Sequence, residues 1–72
     1  MANIYRIDMK GVIARAARES GIREDEAYKT EIISIVDGIC EMVLTTEWNI
    51  IDCYADLRTG EILGIMGEAI AA

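Results

Sequence analysis

The sequence predicts an α+β domain of two helices followed by an antiparallel β-hairpin, paired as a homodimer. Three observations lead there. Apolar residues recur at a helical period up to about residue 45. After Trp48 the period changes from 3.6 to 2. Finally, 72 residues carrying 53% apolar composition, two cysteines and no histidine cannot draw on a disulfide framework or a histidine-ligated metal, so oligomerisation is the remaining way to stabilise so small a core. The chain contains no proline, repeat or linker, and residues 1–72 read as a single domain.

The first helix is expected over about residues 9–19. Asp8 stands at its N-cap, Val12, Ile13, Ala16 and Ala17 form its apolar face, and Gly21 after Ser20 is a natural C-terminal stop. Ile4-Tyr5-Arg6-Ile7 is too short to decide between a helical turn and an extended segment at a sheet edge. A second helix is expected from about Glu24 to Thr45, opened by Glu24-Asp25-Glu26 as an electrostatic cap. Its buried face would be Ile32, Ile35, Val36, Ile39, Cys40, Val43 and Leu44, with Glu31, Ser34, Asp37, Glu41 and Thr45 opposite. Ile51, Cys53, Ala55 and Leu57 then alternate with Ile50, Asp52, Tyr54 and Asp56 as a half-buried strand. A turn at Leu57-Arg58-Thr59-Gly60 returns Glu61 to Met66 antiparallel, with Leu57 opposite Glu61, Ala55 opposite Leu63 and Cys53 opposite Ile65. The residues from Glu68 to the C-terminus fit either a helical turn or a frayed end.

Charge is segregated along the chain. Residues 1–29 carry six bases against five acids, net +1, whereas residues 30–72 carry Arg58 alone against eight acids, net −7. Ionised groups are rarely buried unpaired, so the second part must present a negative surface, and such a surface selects basic partners. The absence of histidine removes Ser-His and Cys-His nucleophiles and the imidazole base together. Gly60, Gly64 and Gly67 are not followed by the Lys-Ser or Lys-Thr of a phosphate-cradling loop. Asp52 and Asp56, at i and i+4 on a strand, stand roughly 13 Å apart, too far for a paired-carboxylate centre. Three consecutive carboxylates on a helix diverge and do not chelate, and Cys40 and Cys53 are spaced as core thiols rather than zinc ligands. No enzyme, cofactor or metal is therefore expected. The start MANIYRIDMK lacks the apolar run of a signal peptide, so a soluble, cytoplasmic protein with no membrane contact is expected. Arg6, Lys10, Arg15 and Arg18 spread around a helical wheel and do not align as a nucleic-acid face.

Residues 9–57 resemble the N-terminal half of the bacterial nucleoid protein HU and its relative IHF. The similar stretches are Val12-Ile13 leading into Ala16-Ala17, Ser20-Gly21-Ile22, Asp25-Glu26-Ala27, and Ile35-Val36-Asp37-Gly38-Ile39-Cys40-Glu41. The resemblance implies a dimer of intertwined helices capped by sheets, in a bacterial cell. It does not carry over DNA binding, because Arg58-Thr59-Gly60 joins the strands directly where that family has long basic arms. In size and charge the chain is also similar to phage-encoded DNA mimics. The expected function is that of a small acidic inhibitor that occupies the DNA site of a basic DNA-binding or nucleoid protein. Glu31, Asp37, Glu41, Glu47, Asp52, Asp56 and Glu61 would contact that partner. The rival readings are an assembly protein docking through Ile50, Ile62, Met66 and Trp48, and a degenerate HU-like DNA binder.

Overall fold

A computed structural model of the chain describes residues 8–70. It contains one helix, α1 (Met9–Glu19), followed by four strands, β1 (Lys29–Val36), β2 (Ile39–Thr45), β3 (Asn49–Asp56) and β4 (Glu61–Ala69). The strands form one antiparallel sheet in sequence order, β1-β2-β3-β4. The helix packs against one face of it.

Helix α1 forms where the sequence places it. Asp8 Oδ1 accepts a hydrogen bond from the Gly11 amide at 3.1 Å, satisfying one of the free donors of the first turn. At the other end Gly21 takes φ 87°, and the Ile22 amide donates to the Ala17 carbonyl at 3.0 Å. That left-handed step ends the helix and turns Ile22 into the core. Val12, Ala16 and Ala17 are the buried face, and the two alanines allow the helix axis to lie close to the sheet.

The second helix is not formed; residues 29–45 are a β-hairpin. The reason is local. Asp37 and Gly38 adopt φ 52° and 77°, the two positive angles of a type I′ turn, which matches the right-handed twist of flanking strands. A helix through this point would place glycine in its interior at a cost of about 1 kcal/mol and would carry a run of β-branched residues, Ile32, Ile33, Ile35, Val36 and Ile39, that favour strands. The two-residue turn also explains the misleading period. It changes which residues share a face, so apolar positions on either side imitate a 3.6 repeat although β2 itself alternates at 2. In β2 the buried residues are Cys40, Met42 and Leu44. Met42, completely buried, has no place on the helical face the sequence predicted. With one helix among the described residues, the expected second helix of an intertwined dimer is replaced by strands. The stretch Ile35–Glu41 quoted for the HU resemblance is strand, turn and strand.

The β3–β4 hairpin is present, with its register adjusted. Cys53 faces Ile65 as expected, but Asp56 rather than Leu57 faces Glu61, and Ala55 faces Ile62 rather than Leu63. A bulge opposite Tyr54 and Ala55 absorbs the difference. Leu63 is therefore 52% exposed, and Ile62 packs on the core instead. Strand β4 continues to Ala69, past the predicted limit at Met66, and the Ile70 amide donates to the Trp48 carbonyl at 2.8 Å. The alternatives raised for residues 4–7 lie outside the described residues.

The core lies between α1 and the central strands. Val12, Ala16, Ala17 and Ile22 meet Cys40, Met42, Leu44, Ile51, Cys53, Ala55 and Leu57. Both cysteines are free and buried in it. Ser20 Oγ commits its proton to the Ala16 carbonyl at 2.6 Å, leaving its lone pairs to the Cys53 thiol at 3.4 Å. Burial pushes both thiols above their ordinary pKa, which leaves them as packing groups rather than nucleophiles.

Candidate interaction surface

Side chains alternate across a strand, so the residues that do not face α1 form a second, open face. The register gives its rows. At the end near the β1–β2 turn run Val36, Ile39, Asp56 and Glu61; next come Ser34, Glu41, Tyr54 and Gly64; then Glu31, Val43, Asp52 and Met66; and last Lys29, Thr45, Ile50 and Glu68. Six carboxylates thus share this face with one ammonium group, Lys29.

Five of the seven predicted contact residues, Glu31, Glu41, Asp52, Asp56 and Glu61, come together here. Glu31 and Glu41 do so for a different reason from the one the sequence suggested: they are strand neighbours, not members of a helical stripe. Asp37 sits in the turn between β1 and β2, and Glu47 in the turn between β2 and β3 at the far end. Seven residues of β2 separate those ends, about 24 Å at ordinary strand rise, so Asp37 and Glu47 do not meet each other, and neither occupies a strand row of the face. Glu68 does belong to it and was missed, because its membership depends on β4 continuing past Met66.

The carboxylates are staggered. Glu41 stands diagonally from Glu31, Asp52 and Asp56, a separation of about 7–8 Å between cross-strand positions. That distance lies within the Debye length of about 8 Å at physiological salt, so the charges add into one field. It is too wide for chelation, and among the described residues no three carboxylates or thiols converge as a metal would need. Cationic relief is slight. Among the described residues the ion pairs are Arg15–Glu19, Arg23–Asp25 and Arg58–Asp56, and only the last touches this face, at 3.8 Å. Asp56 also accepts from the Arg58 amide at 2.9 Å, which holds it beside Glu61 despite their like charge.

Tyr54 lies opposite Glu41 within this field. The charge of Glu41, followed by desolvation and the charge of Asp52, pushes its phenol above the ordinary value. Asp52 differs from the other acids of the face. Its Oδ1 is buried and accepts no hydrogen bond among the described residues. Val43, Ile50 and Met66 line a shallow depression of about 490 Å³ with it. Around the acids the face is apolar: Met66 is 70% exposed, and Ile50 and Tyr54 are also exposed. Ile62, named from the sequence for an apolar patch on this side, points to the core instead. Trp48 is exposed on the β2–β3 turn.

This arrangement can attract and hold cationic groups while offering apolar contact between them. It contains no nucleophile activated by a base. Among the described residues no helix is long and apolar enough to cross a membrane. No family model, characterised protein or solved structure matches the chain.

Proposed function

We propose that the chain is a small acidic antagonist, of the DNA-mimic type that phages encode, which uses the open face of its sheet to occupy the DNA site of a basic nucleoid or other DNA-binding protein. One observation carries the reading: among the described residues, six carboxylates share a face whose strand positions carry one base, Lys29, with Arg58 reaching Asp56 from the turn. A surface that reads phosphates by Lys and Arg meets a comparable row of anions there, and association would be fast and salt-dependent. The unpartnered Oδ1 of Asp52 supports it further, since a buried carboxylate oxygen lacking a donor gains most from an incoming guanidinium. No catalysis is assigned, and the partner acts in the bacterial cytoplasm.

The exposed Ile50, Met66 and Trp48 favour a second reading, an assembly protein that docks through apolar contact while its acids maintain solubility. Displacement of duplex DNA from a basic nucleoid protein, followed by fluorescence anisotropy, separates the two. Replacing Glu31, Glu41 and Glu61 by Gln and Asp52 by Asn should weaken displacement by at least an order of magnitude, with folding unchanged by circular dichroism. Displacement by the quadruple variant equal to that of the original chain would exclude mimicry by this face. Binding insensitive to ionic strength would favour the assembly reading.

A further inference from the structure

The outer edge of β1 makes a second surface that adjoins the acidic face and shares Lys29, Glu31, Ser34 and Val36 with it. All eight of its residues are exposed, including Ile32, Ile33, Ile35 at 55% and Val36 at 63%. Helix α1 packs mainly over β3 and β4, and all eight residues of β1 stay exposed. Among the described residues nothing pairs with its edge. Edge strands are usually blunted by proline, by several charges or by extreme shortness; β1 has no proline, and its charges, Lys29 and Glu31, lie at one end.

Its one irregularity is informative. In a two-residue hairpin the flanking pair, here Val36 and Ile39, exchanges both hydrogen bonds, and pairs alternate from there. The N–H and C=O groups of Ile35, Ile32 and Thr30 therefore point outward. The bulge falls between Ile32 and Ser34, at the middle of the strand. A two-fold axis through it maps Thr30 onto Ile35, Glu31 onto Ser34 and Lys29 onto Val36, each pair on the same face of the sheet. The outward donors and acceptors of Thr30 then meet those of Ile35, and the Ser34 hydroxyl can donate to Glu31. The Lys29 ammonium of one copy arrives beside Asp37 of the other, twice by symmetry.

We infer that two copies of this chain pair antiparallel through β1, about the bulge at Ile33, into a continuous eight-stranded sheet. The strand is self-complementary in backbone, in apolar content and in charge at its ends, which a partner of other sequence would have to match by chance. Eight paired residues run about 27 Å, and removing that edge with four large apolar side chains from each copy approaches the roughly 1,000 Å² that a specific interface needs. The dimer is separate from the acidic-face reading, and salt distinguishes them. Each copy carries −6, so screening strengthens self-association while it weakens binding to a basic partner.

Sedimentation equilibrium and amide hydrogen exchange on the full chain test the pairing. The expected result is twice the chain mass at high micromolar concentration, more dimer as salt rises, and protected Thr30 and Ile35 amides. Ile33→Lys with Ile35→Lys, both at exposed positions, should give a monomer with an unchanged circular dichroism spectrum and lost protection of those two amides. A monomer under every condition overturns the inference. So does a dimer that persists in the double variant. If deletion of residues 2–7 abolishes protection of Thr30 and Ile35 without changing the mass, the chain's own N-terminal segment occupies the edge, and the inference fails equally.

Discussion

The two faces of the sheet are written by the same strands, one residue out of step. In β2 and β3, Cys40, Met42, Leu44, Ile51, Cys53 and Ala55 turn toward α1 and are buried. Their immediate neighbours Glu41, Val43, Asp52 and Tyr54 turn the other way. Three of these inward positions, Cys40, Cys53 and Ala55, are small, fitting the close approach that Ala16 and Ala17 permit. Outward positions mix acids with apolar groups, a poor recipe for solubility alone, which would favour charges of both signs. The contrast assigns different tasks to adjacent residues: substitutions on the inner face should change stability, and those on the outer face should change binding.

Met42→Ala breaks the inner face most severely. The side chain is fully buried at the centre of the core, and its loss should cost about 2–5 kcal/mol, a large fraction of the stability of so small a domain. Urea denaturation followed by circular dichroism measures it. A change below 1 kcal/mol would mean that the face against α1 is loosely packed.

Asp52→Leu sharpens the comparison from the other side. The buried Oδ1 has no donor, so replacing the carboxylate by an apolar group of similar size should raise stability, by about 1–3 kcal/mol. The same variant should displace DNA from a basic protein less well. Stability gained together with binding lost is the mark of an acid kept for recognition. A loss of stability would instead reveal a structural role for Asp52.

Gly38→Ala tests the element that sets which residues face inward on β1 and β2. At φ 77° an alanine pays the left-handed penalty, about 1–2 kcal/mol, and its Cβ would lie 3.4 Å from Arg58 Nε. The expected readout is a lowered denaturation midpoint with the acidic face intact once folded.

This turn is also where the sequence was hardest to read. Helix α1 was legible because Asp8, the Val12–Ala17 spacing and Gly21 all agree within one short segment. The β3–β4 hairpin was legible because seven residues alternate without interruption before Gly60. From Glu31 to Thr45 two signals conflicted. The apolar spacing imitated a helix, while Asp37-Gly38 and the isoleucine run specified a hairpin, and giving priority to the spacing concealed both β1 and β2. The acidic surface nonetheless remained partly legible, because unpaired carboxylates must reach solvent in either fold. Which of them share a face depends on strand register, which sets Asp37 and Glu47 in turns and adds Glu68 to the rows. The bulges at Ile33 and Leu63 follow from how neighbouring strands fit together, a non-local property that one strand's own residues do not encode.

The finest test of the outer face is the titration of Tyr54. Its phenol is held above the ordinary value of 10.0 chiefly by the charge of Glu41 two strand positions before Val43, with desolvation and Asp52 adding to it. The neutral form is therefore favoured in the folded chain. The associated stability is fully present below the ordinary value and is lost as pH rises through the higher folded value. Because the ring is exposed, the energetic effect is small, but the shift itself reports the field. In a background carrying Tyr5→Phe and Tyr28→Phe, ultraviolet absorbance of the phenolate should show Tyr54 titrating above 10.0. Added salt should draw the value down, and Glu41→Gln should draw it down further and remove most of the salt dependence. A Tyr54 pKa at the ordinary value, indifferent to both, would mean that the carboxylates of this face are too dispersed or too well hydrated to act together, and the distinction between the two faces would then be one of burial alone.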